Sequence, residues 1–172
     1  MTLDEFKIIV FPVNNILYRV ALRLLGRREE AEDIVQEAFL RLWSKRKRLH
    51  EYRSIEGLAI TITKNLCLDK LKSKGFQATV TLTGQNLHIN EQTPHSSLEA
   101  TDQMEIIHQL IDELPDQQKL IVHLRDIEGL GYEEIADITG VTVNALRVSL
   151  SRARRKVRDQ LLKIYHYECQ GS

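Results

Sequence analysis

The chain has 172 residues, of which 42% are hydrophobic and 28% charged, enough for one ordinary domain or two small ones. No run approaches the ~20 consecutive apolar residues that span a bilayer, and the start, MTLDEFKIIV, lacks the pattern of a secretion signal, so we expect a cytoplasmic protein without membrane insertion. The net charge of zero hides a segregation: residues 1–77 hold 15 Lys+Arg against 10 Asp+Glu, residues 78–118 hold none against 7, and residues 119–172 hold 9 against 7.

Two helices are predicted first. Residues 3–25 carry apolar side chains at steps of three and four, with Pro12 as a kink or a restart of the helix and Gly26 as a stop. The stretch AEDIVQEAFLRLW, residues 31–43, follows. Its apolar side chains share one face: Ala31, Ile34, Val35, Ala38, Phe39, Leu42 and Trp43. Its other face mixes acid, amide, apolar and basic side chains, where a solvated face would more often carry Lys and Glu alone: Asp33, Gln36, Glu37, Leu40 and Arg41.

A basic segment, SKRKRLHEYR at residues 44–53, precedes a further predicted helix, SIEGLAITITKNLCLDKLKSKG, that ends at Gly75. We expect its buried stripe to comprise Ile55, Leu58, Ala59, Ile62, Leu66 and Leu71. Cys67 is expected to fill the core, and its distance from Cys169 favours reduced thiols over a disulfide or a zinc site. The first half therefore predicts a small helical bundle.

The segment between the halves is rich in Thr, Asn, Gln, Ser, Gly and Pro and shows no sustained helical period. Because an unstructured segment of this length is unusual inside a compact domain, it predicts two domains, residues 1–77 and 102–172, joined by a flexible linker at 78–101. Within it, TVTLTG alternates like a short strand but has no partner strand.

The second half predicts a helix over residues 97–114, with Leu98, Met104, Ile107, Leu110 and Ile111 inward, and another that ends before Gly129. A short helix, YEEIADIT, follows with Ile135, Ala136 and Ile138 inward. A tight turn at Gly140 then leads to a long Arg-rich helix that Thr142 caps. A short helix, a Gly turn and a longer Arg-rich helix form a helix-turn-helix, whose second helix enters the DNA major groove. The predicted fold class is all-α.

The predicted recognition helix has two faces. Val143, Leu146 and Leu150 would face the bundle, whereas Asn144, Arg147 and Ser151 would face DNA. Asn and Arg make bidentate contacts to adenine and guanine, and a hydroxyl of Thr142 or Ser151 can serve a phosphate. The arginines further along suit phosphate contacts: Arg152, Arg154, Arg155 and Arg158. The alternative is a basic amphipathic helix that binds nothing specific.

In joint order these motifs resemble the sigma factors of bacterial RNA polymerase, in the small two-domain, extracytoplasmic-function class. The resemblance is carried by AEDIVQEAFLRLW, ITKNLCLDKLK and LIDELPDQQKLIVHLRDIEGLGYEEIADITGVTVNALRVSLSRARRKVR. It spans nearly everything except the linker. Two positions depart from the family pattern: Gly57, where many relatives have tryptophan, and Ser149, where many have a basic residue. The second departure leaves Asn144 and Arg147 as the stronger candidates for base contacts.

The resemblance implies a subunit that binds core RNA polymerase and directs it to promoter DNA. It assigns the polar face of residues 31–43 to the polymerase, namely Asp33, Gln36, Glu37, Leu40 and Arg41. It assigns unpaired minus-ten DNA to residues 44–74, with Arg53, Lys64, Asn65, Asp69 and Lys70 as candidates and His50 or Tyr52 also available for stacking. A buried or capping role is the alternative for Asn65. The second domain would bind the minus-thirty-five duplex, and control is expected from a separate anti-sigma factor.

Two other classes of protein are alternatives. A response-regulator-like activator would also end in a helix-turn-helix, but its first domain needs alternating strands and helices, which the sequence does not predict. An enzyme is disfavoured because the six histidines show no metal-ligand spacing, and no Gly-rich phosphate loop or nucleophile elbow occurs. The sequence thus predicts no catalysis and no cofactor.

Overall fold

The computed structural model describes the backbone of residues 1–80 and 100–171 and the side chains of residues 1–75 and 102–171. The chain divides into two compact units, Met1–Glu91 and Gln92–Ser172. The described backbone is helical and contains no strand, which confirms the predicted all-α class with two helical regions. Some predicted features lie outside the described residues, namely most of the linker, the TVTLTG segment from Thr81 onward, and Leu98. The proposed domain limits stay predictions.

The helices of the first unit are α1 (Leu3–Val10), α2 (Asn14–Leu25), α3 (Arg28–Ser44) and α4 (Ile55–Val80). A 3₁₀ turn at Phe11–Val13 contains Pro12 and joins α1 to α2, and a second one spans Arg46–Glu51. Gly26 ends α2 in the left-handed region at φ 74°, as predicted. Continuation of α4 past Gly75 corrects the predicted end, since one glycine weakens a helix without terminating it.

The start of α1 carries a capping box that the sequence reading overlooked. The Thr2 hydroxyl accepts a hydrogen bond from the Glu5 N–H at 3.3 Å, and the Glu5 carboxylate accepts one from the Thr2 N–H at 2.7 Å. Hydrogen bonding from the Thr2 backbone, and then from its hydroxyl, lowers the pKa of Glu5. The spacing Thr-x-x-Glu was the available signal.

The core of the first unit lies where α2 packs against α3 and α4. The stretch Leu3–Leu25 is long and apolar enough to cross a membrane by length and composition, which the sequence reading missed because polar residues interrupt the apolar run. Within it Leu17, Val20 and Ala21 are fully buried against the neighbouring helices. The burial of the stretch is nevertheless partial, because 39% of its apolar window is buried while Ile8 and Phe11 are 75% and 62% exposed.

The buried stripe of α4 differs from the prediction. Four predicted members are only half-buried: Ile55, Leu58, Ile62 and Leu71. Of the predicted members, Ala59 and Leu66 are buried as expected, and the buried stripe also contains Ile60, Thr63 and Cys67. The Thr63 hydroxyl donates to the Ala59 carbonyl at 2.9 Å, so this polar side chain enters the core with its hydrogen bond satisfied. Cys67 fills the core as predicted, and burial raises the pKa of its thiol to about 12.

The second unit comprises α5 (Ala100–Asp112), α6 (Asp116–Val122), α7 (Tyr132–Thr139) and α8 (Val143–Gln170). Its core is formed by Leu120, Ile121, Leu124, Ile135, Leu146 and Leu150. Three predicted inward positions of these helices are not fully buried: Met104 is 53% exposed, and Ile107 and Ala136 are half-buried. The predicted helix that ends before Gly129 is not α-helical throughout: residues His123–Ile127 form a π turn, closed by the Glu128 N–H on the His123 carbonyl.

Candidate protein-binding and nucleic-acid interfaces

The two faces of α3 are as different in the structure as in the sequence. Five of the predicted apolar side chains are buried and two, Phe39 and Trp43, are half-buried. On the opposite face Asp33, Gln36, Leu40 and Arg41 are exposed, and Glu37 is half-buried. Leu40 is 65% exposed, whereas Leu42 is fully buried. All five predicted contact residues thus share one accessible surface.

That surface contains one internal ion pair. The Arg41 Nε donates to the Glu37 carboxylate at 3.0 Å, one turn away on the same helix. An exposed pair of this kind stabilises the helix by only a few tenths of a kcal/mol. The two side chains can therefore be released to a partner at little energetic cost, while Asp33 and Gln36 flank the exposed leucine.

The C-terminal end of α3 is fixed by aromatic contacts. The rings of Phe6 and Trp43 meet edge to face, with centroids 5.0 Å apart. The Arg46 guanidinium lies 4.3 Å from the centre of the Trp43 ring and donates to the Trp43 carbonyl at 3.1 Å. Arg46 therefore helps to end α3, and its charge is less available to a polyanion than the sequence suggested.

The basic segment at residues 44–53 is anchored by Leu49, which is fully buried. Arg48 pairs with Glu51 at 2.9 Å. Lys47, Arg53 and two candidate stacking residues, His50 and Tyr52, are exposed. This arrangement presents cations and an aromatic ring on a short, fixed turn directly before α4, as binding of unpaired nucleic acid requires.

Two of the candidate minus-ten residues on α4, Asn65 and Asp69, lie away from its buried stripe, whereas Lys70 lies beside the buried Cys67. Asn65 and Asp69 are exposed one turn apart, and Lys64 and Lys70 are half-buried. Partial burial lowers the pKa of Lys64. Asn65 is neither buried nor a helix cap, since it lies in the middle of α4. The structure therefore places the candidate base-contacting asparagine on an accessible helix face, with Arg53 exposed just before the same helix.

The helix-turn-helix is formed by α7, a turn at Gly140 and α8. Gly140 adopts φ 73°, a left-handed conformation that glycine tolerates without a steric penalty. The Thr142 hydroxyl accepts the Ala145 N–H at 3.2 Å and so caps α8, as predicted. The predicted faces are present: Leu146 and Leu150 are buried, and Val143 is half-buried. The exposed side chains are Asn144, Arg147, Ser151, Arg152, Arg154 and Arg155.

Contacts distinguish Arg154, which a carboxylate holds closely, from Arg147, Arg152 and Arg155, which carboxylates hold weakly or not at all among the described side chains. Arg154 forms a bidentate pair with Asp126, with Nε 2.9 Å from a carboxylate oxygen. Hydrogen bonding to Asp126, with smaller contributions from Tyr132, raises the pKa of Arg154. The Arg147 guanidinium lies 5.3 Å from the centre of the Tyr132 ring. Arg152 has no ion-pair partner among the side chains described, and the Arg155 pair with Asp159 is long at 4.0 Å.

A groove of about 390 Å³ runs along this side of α8. It is lined by Tyr132, Arg147, Leu150, Ser151, Arg154, Arg155 and Arg158. Of these, the sequence reading missed Tyr132, because the GLGYEE segment was interpreted only as a turn. Asp126 was also missed, since it is 28 residues from Arg154 and no periodicity connects them. The arrangement suits binding of a duplex polyanion along an arginine-lined helix face.

Comparison with known proteins adds to this geometry. The family model described as "Sigma-70 region 2" matches residues 13–77, and "Sigma-70, region 4" matches residues 104–157. The ECF RNA polymerase sigma factor SigE of Mycolicibacterium smegmatis is 33% identical over 86% of this chain, which spans 58% of that relative's length. The RNA polymerase sigma factor SigV of Bacillus subtilis is 30% identical over 85% of this chain and 84% of its own length.

A solved structure has the same fold. It is the sigma factor RpoE in complex with the anti-sigma factor NepR from Bartonella quintana, with a TM-score of 0.77 and 22% identity. The match covers 94% of this chain and 99% of that one. At this identity the likeness concerns the fold.

Proposed function

The chain belongs to the sigma-70 family of RNA polymerase sigma factors, in the extracytoplasmic-function class, and we propose that it binds core RNA polymerase and directs it to specific promoters. The first unit would bind polymerase and the unpaired minus-ten strand. The second would bind the minus-thirty-five duplex. As a promoter-specificity subunit in the cytoplasm it would need neither a catalytic group nor a cofactor of its own.

The observation that carries the proposal is the two-sided character of α3. Leu40 is 65% exposed inside a rim of Asp33, Gln36, Glu37 and Arg41, although the opposite face of the same helix is buried. An apolar centre with a polar rim is typical of interfaces that form and dissociate. We infer that this surface docks on the core polymerase.

For the minus-ten element we propose that Asn65 contacts an extruded base, with Lys64, Asp69, Lys70 and Arg53 around it. Extrusion of a base costs a few kcal/mol, which stacking and phosphate contacts must recover. The exposed Tyr52 ring and the cations before α4 could supply both.

For the minus-thirty-five element we propose Arg147 and Asn144 as base-contacting residues, because both are exposed near the start of α8. Ser151, Arg152 and Arg155 would contact phosphates. The proposed phosphate roles of Thr142 and Arg154 are weakened, because the structure engages the Thr142 hydroxyl in capping and the Arg154 guanidinium with Asp126.

A partner that inhibits the chain is also proposed. The related solved sigma factor is in complex with an anti-sigma factor, and we infer a separate protein of that kind for this chain. Such a protein would act by covering the binding surfaces of one or both units.

The decisive experiment is promoter-dependent run-off transcription with core polymerase, with and without the chain. We expect discrete products that require the chain, and their absence on every DNA of a randomised promoter library would overturn the proposal. The double variant Asp33→Lys with Gln36→Lys should weaken polymerase binding without unfolding the protein, because both side chains are exposed.

The matched control is Asp102→Lys with Gln103→Lys, which makes the same charge change at two exposed positions of α5. We expect the control to bind polymerase like the unmodified chain. Equal loss in both variants would mean that net charge, rather than the α3 surface, governs binding.

A further inference from the structure

Tyr132, the first residue of α7, lies among three arginines. The guanidinium carbons of Arg125 and Arg147 lie 4.3 and 5.3 Å from the centre of its ring. Arg154 lines the same groove. Cations within about 6 Å of an aromatic ring centre are attracted by the ring's electron density. The tyrosine thus connects α7 to the DNA-facing side of α8.

The three arginines are not equivalent. Arg125 is fixed by its donation to the Leu130 carbonyl at 2.8 Å, and Arg154 by its pair with Asp126. Arg147 has no carboxylate partner among the side chains that the structure describes. The aromatic ring is therefore the contact that limits where the Arg147 guanidinium points.

A contact of this type leaves the hydrogen-bond donors of arginine free. Attraction to the ring does not consume the guanidinium N–H groups, whereas a salt bridge would. An arginine side chain also loses considerable rotamer freedom when it is fixed on a base, so partial fixation before binding reduces that loss. Arg147 is thus both oriented and available for the two acceptors of a guanine edge.

We propose that Tyr132 is a positioning residue for Arg147 in recognition of duplex promoter DNA. The ring holds the guanidinium in the groove beside Ser151 and so favours the productive orientation before the DNA arrives. The assignment rests on the proposed function, because it concerns the same DNA-binding face. Tyr132 itself need not touch a base.

The test uses two duplexes: one that the unmodified sigma–polymerase complex selects from a randomised library, and a scrambled duplex of the same composition. It measures how strongly the complex prefers the selected duplex over the scrambled one. We expect Tyr132→Leu to reduce this preference roughly two- to five-fold, as loss of an exposed cation–π contact implies. Tyr132→Phe keeps the ring and should retain the preference. In an Arg147→Ala background, Tyr132→Leu should have no further effect.

Affinity for the scrambled duplex and its salt dependence should stay unchanged in Tyr132→Leu, because no phosphate-contacting cation is removed. Thermal unfolding monitors any loss of structure. The proposal would be overturned if Tyr132→Leu reduced the preference equally in the presence and absence of Arg147. It would also be overturned if Tyr132→Phe reduced the preference as much as Tyr132→Leu does. If the unmodified complex selects no sequence, the proposed function itself fails, and this assignment with it.

Discussion

Leu40 and Leu42 lie two positions apart on α3 and have opposite environments. Leu40 is 65% exposed, and Leu42 is fully buried in the first unit. Leu40→Ala should therefore weaken polymerase binding about ten-fold, roughly 1.4 kcal/mol, while the unfolding temperature stays the same. Equilibrium binding to purified core polymerase and thermal unfolding measure the two quantities.

The buried neighbour supplies the matched control. Leu42→Ala should lower the free energy of unfolding by about 2–5 kcal/mol, since it removes a buried side chain and leaves a cavity. If Leu40→Ala left the polymerase affinity unchanged, the exposed face of α3 would be an ordinary solvated surface with one exposed leucine.

Asp126 limits what Arg154 can do, because their bidentate pair occupies the guanidinium. Asp126→Asn should release Arg154 to a phosphate and raise the affinity for non-specific duplex DNA. The slope of log affinity against log salt should steepen by about 0.9, the value for one added phosphate contact. Fluorescence anisotropy over a salt series measures this slope.

Asp137→Asn controls for the lost negative charge. Asp137 is exposed on α7, and no ion pair links it to an arginine among the described side chains. This variant should raise the affinity less and leave the slope nearly unchanged. Identical slopes for Asp126→Asn and Asp137→Asn would show that Arg154 is already available to DNA despite its pair.

At the scale of elements, the sequence predicted helix positions well where a stop residue and a clear period coincide. Gly26 and Gly140 end α2 and α7 in left-handed conformations, and the apolar face of α3 was predicted correctly. In α4 the run LAITIT places apolar or β-branched residues at every helical angle, so the period could not select the buried face. Burial of Thr63 depends on a hydrogen bond to its own helix, which hydropathy does not represent.

The candidate DNA-binding face shows a second feature that the sequence alone did not predict. Arg152, Arg154 and Arg155 are alike in the sequence, and all three are exposed in the structure. What separates them is an acid 28 residues away, placed beside Arg154 by the π turn that the sequence reading missed. Sequence spacing therefore predicted which helix carries the positive charge, whereas the availability of each cation depends on tertiary contacts.

The N-terminus of α8 gives a prediction about an element. Because the Thr142 hydroxyl caps this helix, Thr142→Ala should destabilise the second unit by about 1 kcal/mol. For a unit of this size, that corresponds to roughly 4–8 °C in unfolding temperature. Thr142→Ser keeps the hydroxyl and should unfold near the original temperature.

Both variants can also be compared for DNA binding. If Thr142→Ala unfolded at the original temperature but showed a shallower salt dependence, the hydroxyl would serve a phosphate rather than the helix. Circular dichroism of the helical signal and the salt series together distinguish the two roles.

At the scale of the whole molecule, the proposed functions are divided between two compact units with separate hydrophobic cores. The charges follow this division, since basic residues are concentrated in the two ends and absent from residues 78–118. The proposed polymerase-binding face lies on α3 of the first unit, and the proposed duplex-binding face on α8 of the second. A defect in the first face should therefore reduce transcription by weakening the complex with polymerase, and a defect in the second by weakening promoter recognition.

That difference can be measured by mass action. Transcription by the Asp33→Lys, Gln36→Lys protein should recover as core polymerase is raised, because a weakened complex is restored by a higher concentration of one partner. Transcription by Arg147→Ala should not recover, because its complex with polymerase forms normally and the loss, about 1–3 kcal/mol for one bidentate contact, lies in promoter recognition. Recovery of both variants at high polymerase concentration would mean that Arg147 also contributes to polymerase binding, and the assignment of one face to each unit would be wrong.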